Sequence, residues 1–95
     1  SWFADEVTYK SISGQSTVEE SMIGAGCSIG SAHLKASTLL TKAVVGEGST
    51  LTSCLIGKGA DVGSACHLTE VVVDHGAVVP NGTVQQGGQW PPLTD

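Results

Sequence analysis

Ile23-Gly24-Ala25-Gly26-Cys27-Ser28-Ile29-Gly30 contains one short pattern twice: a branched apolar residue, then glycine, with a small residue two places before the next apolar one. The pattern returns at residues 45–51 and 56–63. Such internal repeats are assigned first, because a fixed period defines the architecture of a repeat protein. Branched apolar residues follow one another at steps of five or six, and every third one lies 16 or 17 residues further on.

This spacing sorts fifteen apolar residues into three rows of five, which predicts a tube with three walls and about five coils. Successive coils stack about 4.8 Å apart as parallel strands. A helix is disfavoured because no 3.6-residue period is present and glycine is scattered throughout. The predicted inward rows are Val7, Ile23, Leu40, Ile56, Val73; Ile12, Ile29, Val45, Val62, Val79; and Val18, Leu34, Leu51, Leu68, Val84.

The position two residues before each apolar residue is nearly always small. Residues i and i+2 of a strand face the same side, so these side chains must also point into the tube. We expect a positive φ at the residue that follows the apolar one, where the chain rounds a corner. The small positions are Ser16, Ser21, Cys27, Ala32, Thr38, Ala43, Ser49, Cys54, Ala60, Cys66, Val71, Ala77 and Gly82, and the corner positions are Gly24, Gly30, Gly46, Gly57, Gly63 and Asp74.

The length of 95 residues predicts one domain, residues 1–95, with coils at about 7–85. Residues 1–6 form an N-terminal cap in this prediction, with Trp2 and Phe3 covering the first coil. Residues 86–95 form either a cap, in which Trp90 and the following prolines fold over the last coil, or a loose tail.

Composition excludes some partners. The net charge is −5 and all four basic residues are lysine, which argues against nucleic acid. No apolar run approaches the roughly 18–20 residues of a membrane span. The missing initiator methionine suggests a fragment, a processed chain or an engineered one.

Cys27, Cys54 and Cys66 occupy small inward positions that are not neighbours in the stack, so buried free thiols and a cytoplasmic location are predicted.

The repeat resembles the hexapeptide repeat of left-handed parallel β-helices. The resemblance therefore implies an all-β fold, a left-handed parallel β-helix of about five triangular coils. Its handedness comes from the resemblance alone, because general chirality rules favour right-handed crossovers. Proteins with this repeat include acyltransferases, gamma-type carbonic anhydrases and the C-terminal domains of sugar-nucleotide pyrophosphorylases.

Two motifs narrow the resemblance. Residues 21–27, S-M-I-G-A-G-C, resemble the S-L-V-S-G-G-C stretch of bacterial ADP-glucose pyrophosphorylases, and V-V-D at 72–74 with V-P-N-G at 79–82 is similar to their V-I-D and I-P-x-G segments. The similarity covers roughly residues 18–84. It implies a non-catalytic oligomerisation or regulatory domain whose parent is a glucose-1-phosphate adenylyltransferase-like enzyme. The nucleotide site of that family lies in an N-terminal domain that has no counterpart here, and its effectors bind through arginine and lysine.

The three histidines are the first candidates for chemistry, since gamma-type carbonic anhydrases bind zinc with three. His33 and His67 precede third-row positions two coils apart, about 9.6 Å from each other. Zinc–nitrogen bonds are near 2.0–2.1 Å, so the two cannot share an ion within one chain. His75 lies at another corner. We therefore predict no catalytic residue, no cofactor and no metal site.

Other functions stay open at this point. A histidine at a subunit boundary would suit a small trimeric acyltransferase. The gamma and epsilon subunits of the translation-initiation exchange factor carry a similar domain. Threonines on the third outward face would suit ice binding, although other side chains interrupt them: Thr17, Glu19, His33, Lys35, Thr50, Thr52, His67, Thr69, Thr83 and Gln85.

One outward row is apolar. The residues before the first inward row are Met22, Leu39, Leu55 and Val72, and adjacent residues of a strand face opposite sides. Soluble monomers rarely expose a continuous apolar patch. We therefore predict that these four residues form an interface, either with further copies of the chain or with a catalytic domain.

Overall fold

A computed structural model describes residues 11–12 and 16–93 of the chain. These residues form fifteen short strands and, within that part of the chain, no helix. The strands are β1 (Ser11–Ile12), β2 (Thr17–Glu19), β3 (Met22–Ile23), β4 (Ser28–Ile29), β5 (His33–Lys35), β6 (Thr38–Leu39), β7 (Val44–Val45), β8 (Thr50–Thr52), β9 (Leu55–Ile56), β10 (Asp61–Val62), β11 (His67–Thr69), β12 (Val72–Val73), β13 (Val78–Val79), β14 (Val84–Gln86) and β15 (Gln89–Trp90).

Each of the first twelve strands pairs in parallel with the third strand after it, which produces three five-stranded sheets. The first wall is β1-β4-β7-β10-β13, the second is β2-β5-β8-β11-β14, and the third is β3-β6-β9-β12-β15. The chain extends over 42 × 21 × 19 Å. The predicted parallel β-helix with three walls is therefore confirmed.

Aliphatic side chains fill the tube because nearly every described strand places one of them inward; β14 and β15 place Gln85 and Trp90 there instead. In β5, Leu34 is buried between two exposed neighbours, and Leu34, Leu51 and Leu68 stack in register along the second wall. Val18 is partly buried against this core. Val7 lies outside the described residues, as does the side chain of Ile12. The predicted inward residues that are confirmed as buried are Ile23, Ile29, Leu34, Val45, Leu51, Ile56, Leu68, Val62, Val73 and Val79.

The inward assignment of Leu40 is wrong by one residue. Leu39 pairs with Ile23 and Ile56 and is 1% exposed, so it fills the core position, and Ser37 rather than Thr38 is the small residue of that strand. The corner between β5 and β6 has two residues, as has every other described corner from the second wall to the third. The inward residue of β6 therefore lies five positions after Leu34, not six.

The inward assignment of Val84 is also wrong. Val84 pairs with exposed His67 and is itself 76% exposed, whereas Gln85 pairs with buried Leu68. A polar residue can take this position because its amide is satisfied: Gln85 Nε2 donates to the carbonyl oxygens of Gly87 at 2.9 Å and Gln89 at 3.2 Å. Because Gln85 and not Val84 points inward, the small residue two positions before the inward one is Thr83 and not Gly82.

The corner glycines have a different purpose from the one predicted. Positive φ values do not occur at the six corner positions named above; they occur two residues after five of them, as at Gly26 and Gly48 (φ 76° and 78°), and Gly30 is the exception. Gly46, by contrast, needs the absence of a side chain, because a Cβ there would lie 2.7 Å from the carbonyl carbon of Gly63 in the next coil. The first corner glycine therefore permits close stacking of backbones.

The small inward residues bond the coils together. Ser37 donates its hydroxyl to Lys35 O at 3.0 Å and accepts the N–H of Cys54 at 3.1 Å, while the N–H of Ser37 is donated to Ser21 Oγ. Ser49 bridges Gly63 O and the N–H of Cys66 in the same way. No buried side-chain polar atom in the described part of the chain lacks a partner. An unsatisfied buried polar group destabilises a fold, so the two serines stabilise the stack through their hydrogen bonds as well as by being small enough to fit.

The last coil ends in β15, which pairs with β12. Trp90 is half-buried, packs against the core, and donates from Nε1 to Val78 O at 2.8 Å. The Trp90–Pro91 peptide bond is cis. Trp2 and Phe3, assigned to an N-terminal cap, lie outside the described residues. The described part of the chain contains no helix long and apolar enough to cross a membrane.

Candidate interaction surface

The outer face of the third wall carries the predicted interface row with one correction. Met22, Leu55 and Val72 are 47%, 39% and 47% exposed, as the alternation of strand residues requires. Leu39 does not belong to this face; Thr38 takes its place between Met22 and Leu55. The apolar row is therefore interrupted after Met22 and continuous only from Leu55 to Val72.

Beyond Val72 the apolar surface continues into a shallow groove. The groove has a volume of about 480 Å³ and is lined by Val72, Gln85, Gly88, Gln89, Pro92 and Leu93. Leu93 is 82% exposed. We define the third-wall patch as Leu55, Val72 and Leu93. The sequence pattern did not reveal the groove, because Pro92 and Leu93 follow the repeat and only the fold places them beside Val72.

The outer face of the first wall has no comparable row. Val44 is 37% and Val78 is 65% exposed, but exposed Asp61 lies between them in the sheet. Ser28 precedes Val44 in the same row. A charged side chain in the middle of the row makes this face less suited to dry contact than the third-wall patch.

The second wall presents two polar rows, since its strands have three residues with both ends outward. One row is Thr17, His33, Thr50, His67 and Val84; the other is Glu19, Lys35, Thr52, Thr69 and Gln86. Val84 and Gln86 stand where Thr83 and Gln85 were expected, because the inward residue of β14 is Gln85 and not Val84. Side chains other than threonine interrupt both rows.

The histidines are kept apart by the fold. Thr50 lies between His33 and His67 in the sheet, and His33 Nδ1 lies 2.7 Å from Thr17 Oγ1. His75 lies at a corner, where its Nδ1 accepts the backbone N–H of Lys58 at 2.8 Å. In the described residues, no three histidine, cysteine or acidic side chains are grouped so as to hold a metal ion.

The three thiols are buried and unpaired. Burial raises the pKa of Cys27 and of Cys54 above the ordinary value, against the lowering effect of nearby backbone hydrogen bonds. Cys54 Sγ donates to Leu68 O at 3.2 Å. A buried thiol with a raised pKa is a poor nucleophile, so Cys27 and Cys54 serve packing.

Comparison with known proteins agrees with this architecture. The family described as "GlmU-like, C-terminal hexapeptide" matches residues 5–87. The chain is 36% identical over 64 residues to the glucose-1-phosphate adenylyltransferase of Rhodopseudomonas palustris (strain BisB18), which covers 67% of this chain and 15% of that enzyme. It is 31% identical over 65 residues to the glucose-1-phosphate adenylyltransferase of Pasteurella multocida (strain Pm70), covering 68% of this chain and 15% of that enzyme.

Three walls of parallel strands, each with an aliphatic residue inward in nearly every coil, define a hexapeptide-repeat β-helix. Within that class, the chain belongs to the GlmU-like C-terminal hexapeptide family. The similarity to glucose-1-phosphate adenylyltransferases that the two motifs predict is confirmed as well. The chain spans only 15% of the length of these two relatives.

Proposed function

We propose that this chain is the β-helix domain of a glucose-1-phosphate adenylyltransferase-like protein and that it joins subunits without taking part in catalysis. The family and the similarity to two such enzymes support this role. In this proposal the parent's catalysis takes place in a separate domain. The parent's activity, its cytoplasmic location and any regulatory effect belong to the same proposal.

The observation that carries the proposal is the third-wall patch. Leu55 and Val72 are neighbours in the sheet, and Val72 also lines the groove beside Leu93. Apolar side chains that are adjacent in a rigid wall present a flat surface whose contact with a partner needs little reordering. A continuous exposed apolar patch of this kind is typical of an interaction site. The partner that we propose first is the same wall of another copy, because most soluble oligomers are symmetric.

The role without catalysis agrees with the arrangement of ionisable side chains. His33 and His67 are held in a rigid row with Thr50 between them. An acid–base pair needs both groups within hydrogen-bond reach of one substrate atom, and stacked strands keep these two about two coil spacings apart. We therefore place the function on the apolar wall rather than on the histidine row.

The experiment is a mass measurement by sedimentation equilibrium on the chain and on the double variant Leu55→Ser/Val72→Ser. We expect the double variant to dissociate at concentrations at which the chain without substitutions, called the parent chain from here on, is associated. The circular dichroism spectra of the two should be the same. Val44→Ser is the matched control, since Val44 is exposed to a similar degree on the first wall. Equal dissociation of parent, double variant and control would refute the proposed interface.

A further inference from the structure

The C-terminal end of the β-helix differs from the rest in the backbone groups that it offers. In the first wall, the residue after each inward aliphatic donates its N–H to the coil that follows. Gly46 N donates to Val62 O at 2.8 Å, and Gly63 N donates to Val79 O at 2.9 Å. The next residue in this row is Pro80, because Val62 pairs with Val79. Proline has no N–H, so the last coil offers no donor at this position.

The third wall shows the same change. Gly57 N donates to Val73 O and Asp74 N donates to Trp90 O, both at 2.8 Å. Val73 pairs with Trp90, so the next residue in this row is Pro91. Two of the three walls therefore end on a proline at the position that would donate to a following coil. Prolines at sheet edges prevent pairing with another strand.

An acceptor at this end is also occupied. Val79 O accepts from Gly63 and therefore points back toward the preceding coil. Neighbouring carbonyls of a strand point in opposite directions, so Val78 O points toward the open end. Trp90 Nε1 donates to that oxygen at 2.8 Å. The indole thus crosses from the third wall to the first and fills the acceptor that a further strand would use.

Two side chains also cover the interior of the tube at its C-terminal end. Trp90 stands in the inward row above Val73, and its ring packs on the core. Gln85 stands above Leu68 and donates to Gln89 O, which links the second wall to the third. The second wall carries no proline in β14. A complete coil must nevertheless pair on all three walls, so losing two walls is enough to stop its addition.

We propose that Pro80, Trp90 and Pro91 close the C-terminal end of the β-helix against strand addition by a second copy of the chain. Exposed strand edges are templates for association, and a stack of coils ends in such edges. The closure concerns the C-terminal end alone and does not affect the lateral walls. This inference is independent of the proposed third-wall interface, because it rests on backbone donors and acceptors at the end of the stack.

The test restores the repeat at this end. In the triple variant Pro80→Gly/Trp90→Val/Pro91→Asp, each residue becomes the one found at the same position one coil earlier, namely Gly63, Val73 and Asp74. Gln86→Thr is the matched control, because it also restores the residue found one coil earlier, Thr69, but leaves both prolines and Trp90 in place. The assays are sedimentation velocity over a concentration series and hydrogen exchange of the β13 and β15 amides.

We expect the folded triple variant to reach at least about twice the mass of the unsubstituted chain at the same concentration, as dimerisation or further stacking through its end requires. Its β13 and β15 amides should become protected as it does so, while Gln86→Thr keeps the mass and the exchange of the unsubstituted chain. A folded triple variant with the parental mass and exchange at all concentrations would overturn the proposal. If the triple variant does not fold, the double variant that keeps Trp90 is measured in the same way. Failure of both to fold would also overturn it, because the prolines would then be needed for the coil itself.

Discussion

Replacing Leu39 and, separately, Leu40 with alanine tests the register of the β-helix. Leu39 is 1% exposed and stacks between Ile23 and Ile56, while its neighbour Leu40 lies at the start of a corner and is only partly buried. A fully buried leucine replaced by alanine costs about 3–5 kcal/mol, which combines lost transfer energy with the cavity left behind. The stacked coils cannot collapse into this cavity, because their spacing is fixed by backbone hydrogen bonds.

Leu40→Ala should cost about 1–1.5 kcal/mol, because a partly buried side chain gives up only part of its burial energy and leaves no closed cavity. The pair is its own control, since the two variants have the same composition. The assay is urea unfolding followed by circular dichroism, with the free energy extrapolated to water and the slopes compared. We expect Leu39→Ala to be the less stable variant by about 2 kcal/mol or more. Equal losses, or a greater loss for Leu40→Ala, would refute the observed register.

Three further predictions concern single contacts. Gly46→Ala should destabilise the protein by about 1–3 kcal/mol in urea unfolding, because the new Cβ would meet the Gly63 backbone, which cannot move aside; an unchanged midpoint would contradict this. His75→Ala should cost about 0.5–1 kcal/mol through loss of the acceptor for Lys58 N–H, whereas His75→Asn should cost less, since Asn81 Oδ1 accepts Ser64 N–H at the equivalent corner. Burial raises the pKa of Cys54 above 9.0, so the folded state holds the thiol proton more tightly and stability should fall as pH rises above that value. Cys54→Ser should reduce the fall of the unfolding free energy with pH, measured by urea unfolding at a series of alkaline pH values. An unchanged fall would show that the thiol does not contribute.

The sequence predicts the three walls well because every coil needs the same kind of inward residue at the same positions. A tube this thin has room for one large side chain per wall and coil, so the aliphatic residues recur wherever the chain turns inward. It predicts the register less well wherever two candidates are adjacent. Leu39 and Leu40 both satisfy the step of five or six residues, and the two-residue corner between β5 and β6 decides for Leu39.

The end of the repeat could not be predicted from the same rule. Val84 lies at an allowed step of five after Val79, yet the four-residue corner before β14 places Gln85 inward, where its amide donates to the carbonyl oxygens of Gly87 and Gln89. The groove beside Val72 depends on where Leu93 lies after the last strand, which no period specifies. Three of the four residues in the predicted interface row do lie on the outer face, since strand alternation alone fixes them.

The exposed fraction of the third-wall patch sets the scale of the association that it can support. Leu55 and Val72 are 39% and 47% exposed, so covering each contributes about 1 kcal/mol, roughly half of a full aliphatic burial. Replacing both residues with serine therefore removes about 2 kcal/mol of binding energy from each copy of the chain. The loss from one copy alone weakens binding about thirtyfold. A two-fold symmetric contact would lose twice that energy.

The most direct measurement is therefore the association constant of the chain by sedimentation equilibrium, before and after Leu55→Ser/Val72→Ser. Association through the third wall predicts a drop of at least about thirtyfold for the double variant, with Val44→Ser unchanged. A parent chain that is monomeric at every concentration, or a double variant that associates as tightly as the parent, would contradict it.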